Sequence, residues 1–388
     1  MKYPNDKLVI ALFAESLMNL RPWNHWTPDG EPAEETLEIV KILEDALNRF
    51  PDDPALCHLY IHVMEASPTP EKALPAANVL RNAMPDAGHM LHMPSHIDIH
   101  LGNYDASNKA NQIAIDADKK FLEKEGAYNI YTLYRLHNYH FLVYGAMFDG
   151  QSKLALNTAR EMPKQVPEDF LEKMSDYMDA FMPMTLHVYI RFGQWEEILA
   201  EPEPAEYLPM SRSIWHYARA LAYAATDRIK EAEGEQAAFQ KVHATVPKTS
   251  IMHNNTSRDI LAIADKMMAG EIAYRKGEFK VAFEQLRDAV HLDDRLNYDE
   301  PWGWMQPARH ALGALLLEQE YFVEAETVYR NDLRRHPNNI WALHGLAESL
   351  EKQGKSTEAL KCHSKFEAAS VRADVKVDRS CYCRIQDL

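Results

Sequence analysis

Glycine is scarce in this chain, at 14 of 388 residues, about half the roughly 7% of an ordinary protein. Tight hairpins and phosphate-cradling loops depend on glycine, so the shortage argues for a mostly helical chain. Cysteine is scarcer still. Four residues cannot build a disulfide scaffold, and they point to a reducing compartment. Positive charge is in deficit as well: 42 Lys and Arg stand against 58 Asp and Glu, a formal charge of −16, with Arg334-Arg335 the nearest approach to a basic cluster. Nucleic acid is therefore not an expected partner, because neutralising phosphates takes clustered cations. Long apolar runs are missing too. The N-terminal run from Leu8 to Phe13 gives way to Glu15, which is too short for a signal-peptide core or a bilayer span. No membrane is expected, and the chain reads as cytoplasmic.

Local devices for several chemistries are also absent. The sequence holds no GxGxxG, no GxxxxGK[ST], no GxSxG, no EF-hand loop and no HExxH, so dinucleotide, nucleotide, serine-hydrolase, calcium and zincin chemistry lack their usual signatures.

What is present is periodicity. Apolar residues recur at three- and four-residue spacing almost throughout, the pattern of helices with one buried face. A short punctuation separates them repeatedly: Gly102-Asn-Tyr-Asp-Ala, Gly150-Gln-Ser-Lys-Leu-Ala, Gly193-Gln-Trp-Glu-Glu, Asp227-Arg-Ile-Lys-Glu-Ala, Gly277-Glu-Phe-Lys-Val-Ala, Gln319-Glu-Tyr-Phe-Val-Glu-Ala and Gly354-Lys-Ser-Thr-Glu-Ala. Successive turns are 48, 43, 34, 50, 42 and 35 residues apart. In most of them an apolar helix ends at the turn, and a second helix opens with an Ala that lets two helices pack closely. Several second helices stop at proline, as at Phe50-Pro51, Met84-Pro85, Val246-Pro247 and His336-Pro337. Helix-turn-helix units with a period near 34 and variable inserts are the reading.

On these residues the chain resembles the tetratricopeptide-repeat family, most clearly at Gly277 to Ala282 and Gly354 to Ala359. The segment from Leu56 to Phe121, with His-Leu-Tyr-Ile-His-Val-Met-Glu-Ala-Ser and His-Met-Pro-Ser-His-Ile, looks like a His-rich tetratricopeptide-like subgroup without an assigned activity. The resemblance implies an all-α solenoid of stacked antiparallel helix pairs, whose first helices line a concave groove. The expected division is a His-rich N-terminal half, 1–165, regular repeats over 166–371, and a loosely held charged tail, 372–388. Glu201 to Glu206 is the expected joint, and Pro247 to Thr256 an expected loop.

Histidine is the residue in excess. Eight of 18 fall between His58 and His140. His58 and His62 are four apart, with Glu65 three further on, so all three share a helical face. His92 and His96 repeat the four-residue spacing, with His89 and His100 a turn beyond either end, and His137 and His140 are three apart. Measured back from their turns, His58, His62, His92, His96 and His140 sit at similar heights in successive units. Imidazoles at such spacing suit Zn, Cu, Fe and Ni. His58, His62, Glu65, His92, His96 and His140 form the expected ligand pool, with His89, His137 and Glu15 as second choices. Met64, Met90 and Met93 would favour copper if they faced the site, carboxylates would favour iron or a two-metal site, and zinc is a third option. Pro94, between His92 and His96, removes the backbone bond to Met90, so it either kinks a helix or starts one. His100 reads as a helix-end cap, and His187 and His216 as isolated groove residues.

Two functions stand on this pattern. One is a metal-dependent redox enzyme, with iron or copper, acting on a small-molecule substrate in the groove. The other is a polar groove, satisfied by neighbours such as Tyr60, Asn138 and Tyr139, that binds a peptide or protein partner.

Overall fold

The computed structural model describes residue 3 and residues 5–385. Among these residues it is helical apart from one small hairpin and an isolated bridge between Trp26 and Pro32, and its helices stack in pairs, as the periodicity predicts. Two compact units are present, Met1–Gly145 with Asn297–Pro301, and Ala146–Leu296 with Trp302–Leu388.

The first unit contains α1 (Lys7–Met18), α2 (Thr36–Leu47), α3 (Pro54–Met64), α4 (Leu74–Ala83), α5 (Gly88–His92), α6 (Pro94–His100), α7 (Tyr104–Glu125) and most of α8 (Tyr131–Phe148). The start of α3 is fixed by sequence alone. Asp53 caps it, accepting from the backbone N–H groups of Ala55 and Leu56, and Pro54 occupies the first helical position, where its missing N–H costs nothing. Behind the site lies an apolar core that includes Ile10, Leu43, Leu56, Ile61, Leu80 and Ile97. Met64 and Met93 are buried in this core and Met90 packs against it, so all three side chains take part in packing. Pro94 does start a helix, α6, directly after α5.

The second unit holds α9 (Ser152–Glu161), α10 (Glu168–Lys173), α11 (Ser175–Met178), α12 (Met184–Arg191), α13 (Trp195–Ala200), α14 (Pro209–Ala225), α15 (Ile229–His243), α16 (Ser257–Arg275), α17 (Phe279–Asp294), α18 (Ala308–Glu318), α19 (Phe322–Arg335), α20 (Ile340–Lys352) and α21 (Ser356–Ala369). Its hairpins α14–α15, α16–α17, α18–α19 and α20–α21 pack pair upon pair.

The repeated punctuation has one backbone cause. Gly102, Gly150, Gly193, Asp227, Gly277, Glu320 and Gly354 all have positive φ, between 58° and 77°. At each, the next N–H reaches back to the carbonyl five residues earlier, as in Asn103 to Asp98, Glu278 to Ala273 and Lys355 to Leu350. This closes the helix end and reverses the chain. The left-handed residue favours glycine, which is where a glycine-poor chain spends much of what it has.

Three expectations need correction. The boundary lies at Gly145/Ala146, in the last turn of α8, not near 165, and Glu201 to Glu206 lies within the second unit. The segment 247–256 is not wholly a loop: Ile251–Met252 pairs antiparallel with Asn255–Thr256, and Thr256 caps α16. Residues 372–385 are not loose. Arg372 forks onto Asp149 at 2.7 and 2.8 Å, Asp374 accepts from the N–H groups of Ser152 and Lys153 at the start of α9, and Ser380 meets Tyr329 at 2.6 Å. These anchors lie far off in sequence, so no local pattern announces them. The last residues of the expected tail, 386–388, lie outside the described residues.

Candidate metal centre

Helix α3 carries His58 and His62 one turn apart, and Glu65 caps its C-terminus. The short α5 carries His89 and His92, α6 carries His96 and α8 carries His137. Six of the sequence-predicted imidazoles therefore converge in the first unit. His58 Nε2 lies 3.1 Å from both His62 Nε2 and His89 Nε2. His92 Nε2 lies 2.6 Å from His96 Nε2. The ring centroid of His137 is 4.7 Å from that of His92 and 5.9 Å from that of His96. Two donor triads result, His58/His62/His89 and His92/His96/His137, and a third group joins His62, Glu65, His96 and Glu300.

The partners on the opposite ring nitrogens determine the tautomers. Asn111 donates its Nδ2 to the Ser107 carbonyl at 2.9 Å, so its Oδ1 is the atom facing His92 Nδ1 at 2.7 Å. His92 Nδ1 must then be the donor. Glu65 Oε1 lies 3.0 Å from His62 Nδ1, and its Oε2 lies 2.5 Å from His96 Nδ1, which also meets Glu300 Oε2 at 2.7 Å. Carboxylate oxygens accept, so His62 and His96 donate from Nδ1 too. Each of these imidazoles, when neutral, is left with a bare lone pair at Nε2. Lone pairs at 2.6 Å repel, so His92 and His96 require a cation between them, either a proton or a metal ion.

Burial favours the neutral, ligating form of the rings. It pushes His58 down to about 4 and His89 down to about 3, and holds His62 and His92 well below the ordinary histidine value, with neighbouring imidazoles adding to the effect. The two carboxyls move in opposite directions. Glu65 is pushed well above the usual range by burial and by the charge of Glu300 beside it. Glu300 is held well below it: burial acts the other way but is outweighed by His96 and by the hydrogen bond from Glu65.

The remaining candidates fall elsewhere. His140 is buried on α8 but belongs to none of the triads; His137, a second choice, takes that place, because the phase of α8 about its axis aims position 137 at α5. His89, also a second choice, is a full member. Glu15 is exposed on α1 and joins no donor group among the described residues. His100 does not cap its helix: its Nε2 meets the Tyr298 hydroxyl at 2.9 Å. Tyr60 donates to Glu44 and Asn138 to Asp118, so neither hydroxyl nor amide is directed at the histidines. In the second unit His187 packs edge-on to Trp304 and His216 meets Glu235 at 2.7 Å.

Sequence reasoning missed Glu300 and Asn111. Asn111 had a weak signal, a polar residue on the inner face of α7, where it is fully buried. Glu300 had none, since it lies in an irregular segment far along the chain. A separate donor group, Glu271 with Cys381 and Cys383, lies in the second unit, where the two sulfurs are bonded to each other. The second unit also has a polar cavity of about 680 Å³ lined in part by His344, Glu348, Asp378 and Arg384, which shares no residue with the histidine cluster.

No family model and no curated protein matches the chain. Among solved structures it is similar to the TPR domain of P58(IPK), at 13% identity over 94% of this chain and 96% of that one, with a TM-score of 0.25. It is also similar to the human IFIT1 dimer with m7Gppp-AAAA, at 12% identity over 93% and 76% with a TM-score of 0.36, and to the APC/C hetero-tetramer Cut9-Hcn1, at 12% identity over 95% and 92% with a TM-score of 0.26. Superpositions this loose add nothing to the argument, and the fold rests on the chain's own helix pairs and turns. No helix among the described residues is long and apolar enough to cross a membrane.

Proposed function

We propose that this protein is a helix-pair scaffold whose N-terminal unit carries a transition-metal centre. The observation that supports the metal is the convergence of six imidazoles in two triads, with the Nδ1 atoms of His62, His92 and His96 engaged as donors and their Nε2 atoms left to ligate. Copper and iron suit the imidazole set, and zinc is the further option. An ion bound by three imidazoles keeps open positions, where it would polarise or oxidise a small-molecule substrate. Elemental analysis after expression in metal-replete medium tests this directly. We expect stoichiometric Cu or Fe, and a protein free of Fe, Cu, Zn and Mn would overturn the metal reading.

The scaffold part is supported by the architecture. Stacked helix pairs expose long continuous faces to peptides or proteins. The two roles separate experimentally: binding of an identified partner that survives both a chelator and the double change His58→Ala/His96→Ala belongs to the scaffold alone. Loss of that binding with the metal would instead make the centre part of the recognition surface.

A further inference from the structure

The metal reading above leaves open how many ions the cluster takes and of what charge, and the donor geometry bears on both. The six imidazoles divide evenly. His58, His62 and His89 bring together three ring nitrogens from α3 and α5, each on a half-buried residue. His92, His96 and His137 form the second group from α5, α6 and α8, and His92 and His96 are fully buried. The groups are neighbours: the rings of His62 and His96 are 5.3 Å apart, and those of His89 and His92 are 6.2 Å apart. Phe141 closes the second group, stacking on His96 at 5.0 Å and standing edge-on to His92 at 4.7 Å and to His137 at 5.2 Å.

The carboxylates lie on the far side of the rings. Both oxygens of Glu65 are occupied by Nδ1 atoms of His62 and His96, one from each triad, and Glu300 joins it at His96. This is the arrangement by which an outer carboxylate fixes a ligating imidazole. Glu65 therefore ties the two triads together without standing among their Nε2 donors.

We propose that the cluster is a dinuclear copper centre, with one ion in the triad His58/His62/His89 and the other in the triad His92/His96/His137. The proposal rests on the metal reading above. Charge selects the ion. The ligands are neutral, and the adjoining carboxylates, Glu65 and Glu300, supply at most two negative charges. In the ionised form that an adjoining cation favours, that pair balances two copper(I) ions, whereas two divalent ions would leave a double positive charge buried, which is costly without a further anion. Three imidazoles with no added anion also suit copper(I), which is stable at low coordination number. The half-buried triad gives the ions a way in, and Phe141 shields the inner one.

Anaerobic titration of the metal-free, full-length protein with copper(I), in competition with a chromophoric copper(I) chelator, tests this. We expect two equivalents for the unaltered protein, one for His58→Ala/His89→Ala, one for His92→Ala/His96→Ala and none for the fourfold variant, because a single remaining imidazole per triad does not hold copper(I). X-ray absorption of the unaltered protein loaded with one and then two equivalents gives a second reading that needs no variant, and three nitrogen donors per copper are expected at both stages. A single equivalent in the unaltered protein would overturn the dinuclear assignment while leaving the metal reading intact. So would binding that persists in the fourfold variant, which would place the ion outside the two triads. Two equivalents of zinc with no uptake of copper(I) would overturn the choice of copper. No uptake of any metal would overturn the metal reading itself.

Discussion

Glu65 and Glu300, 235 positions apart in the chain, lie against the same atom, His96 Nδ1, at 2.5 and 2.7 Å. Glu65 reaches His62 with its other oxygen. Outer carboxylates of this kind fix ring orientation and raise ligand basicity, and losing one typically costs about 10–100-fold in metal affinity. Glu65→Gln should therefore weaken metal binding by roughly that factor, with helical content unchanged by circular dichroism. Chelator competition measures it, and an unaltered affinity would remove Glu65 from the positioning role.

A second prediction concerns the scaffold beside the site. Asp98 on α6 is 1% exposed and takes both Arg81 nitrogens, at 2.9 and 2.7 Å. Burial nevertheless keeps its carboxyl above the usual range, so desolvation outweighs the pairing. Arg81 is partly exposed, which tempers the cost of removing it. Arg81→Ala should destabilise the protein by about 2–3 kcal/mol, because it strands a buried carboxylate. The double change Arg81→Ala/Asp98→Leu should recover a large part of that loss. Urea unfolding of the three proteins decides the matter: a double variant no better than the single one would mean that the pair itself is strongly stabilising.

In the second unit, the fully buried ring of Tyr329 on α19 lies between two glycines. A Cβ at Gly313 would stand 2.5 Å from its Cζ, and one at Gly345 would stand 2.2 Å away. Helices α18 and α20 close on α19 only because both positions lack a side chain. Overpacking of this kind costs about 1–3 kcal/mol, so Gly345→Ala should lower the thermal midpoint. Gly354→Ala differs in kind: its Cβ would meet nothing, but φ is 72°, and the penalty there is backbone strain alone, about 1 kcal/mol. Equal effects of the two substitutions would contradict the packing argument.

Acid sensitivity is expected from His187, a buried residue whose ring burial pushes down from 6.5 to about 4. Its neutral form is favoured in the fold, so as pH falls the unfolded chain takes up the proton first. The stability it contributes is present above pH 6.5 and is lost between about 6.5 and 4, at up to about 1.4 kcal/mol per pH unit. Replacing it by a group that does not titrate, as in His187→Leu, should flatten this part of the profile. Denaturant midpoints at pH 7, 6 and 5 measure the slope, and an identical slope in the variant would assign the acid loss elsewhere.

Much of the architecture was written locally. The seven turns could be placed because a left-handed residue closing a helix is a property of a few neighbouring atoms, and Asp53, Pro54 and Thr256 mark helix starts for the same reason. The paired histidines of α3 were equally legible, since four-residue spacing puts two side chains on one face wherever the helix ends up. The phase of each helix was not. His137 and His140 are equivalent as text, and only the packing of α8 against its neighbours sets the first against α5, while the second joins neither triad. His89 is hard to place for a related reason: the helix break at Pro94 is visible in the sequence, but not where it aims the preceding turn.

The sequence by itself determined that the chain is a run of helix pairs and that imidazoles cluster early in it, because both follow from interactions within a few residues. Only the tertiary structure decided that six imidazoles form two triads, that Glu65 stands behind the rings and not among the donors, and that Glu300 completes the cluster. Those are contacts across tens to hundreds of residues, settled by how apolar faces pack and by the need of buried polar atoms for partners, and neither leaves a local trace in the order of residues.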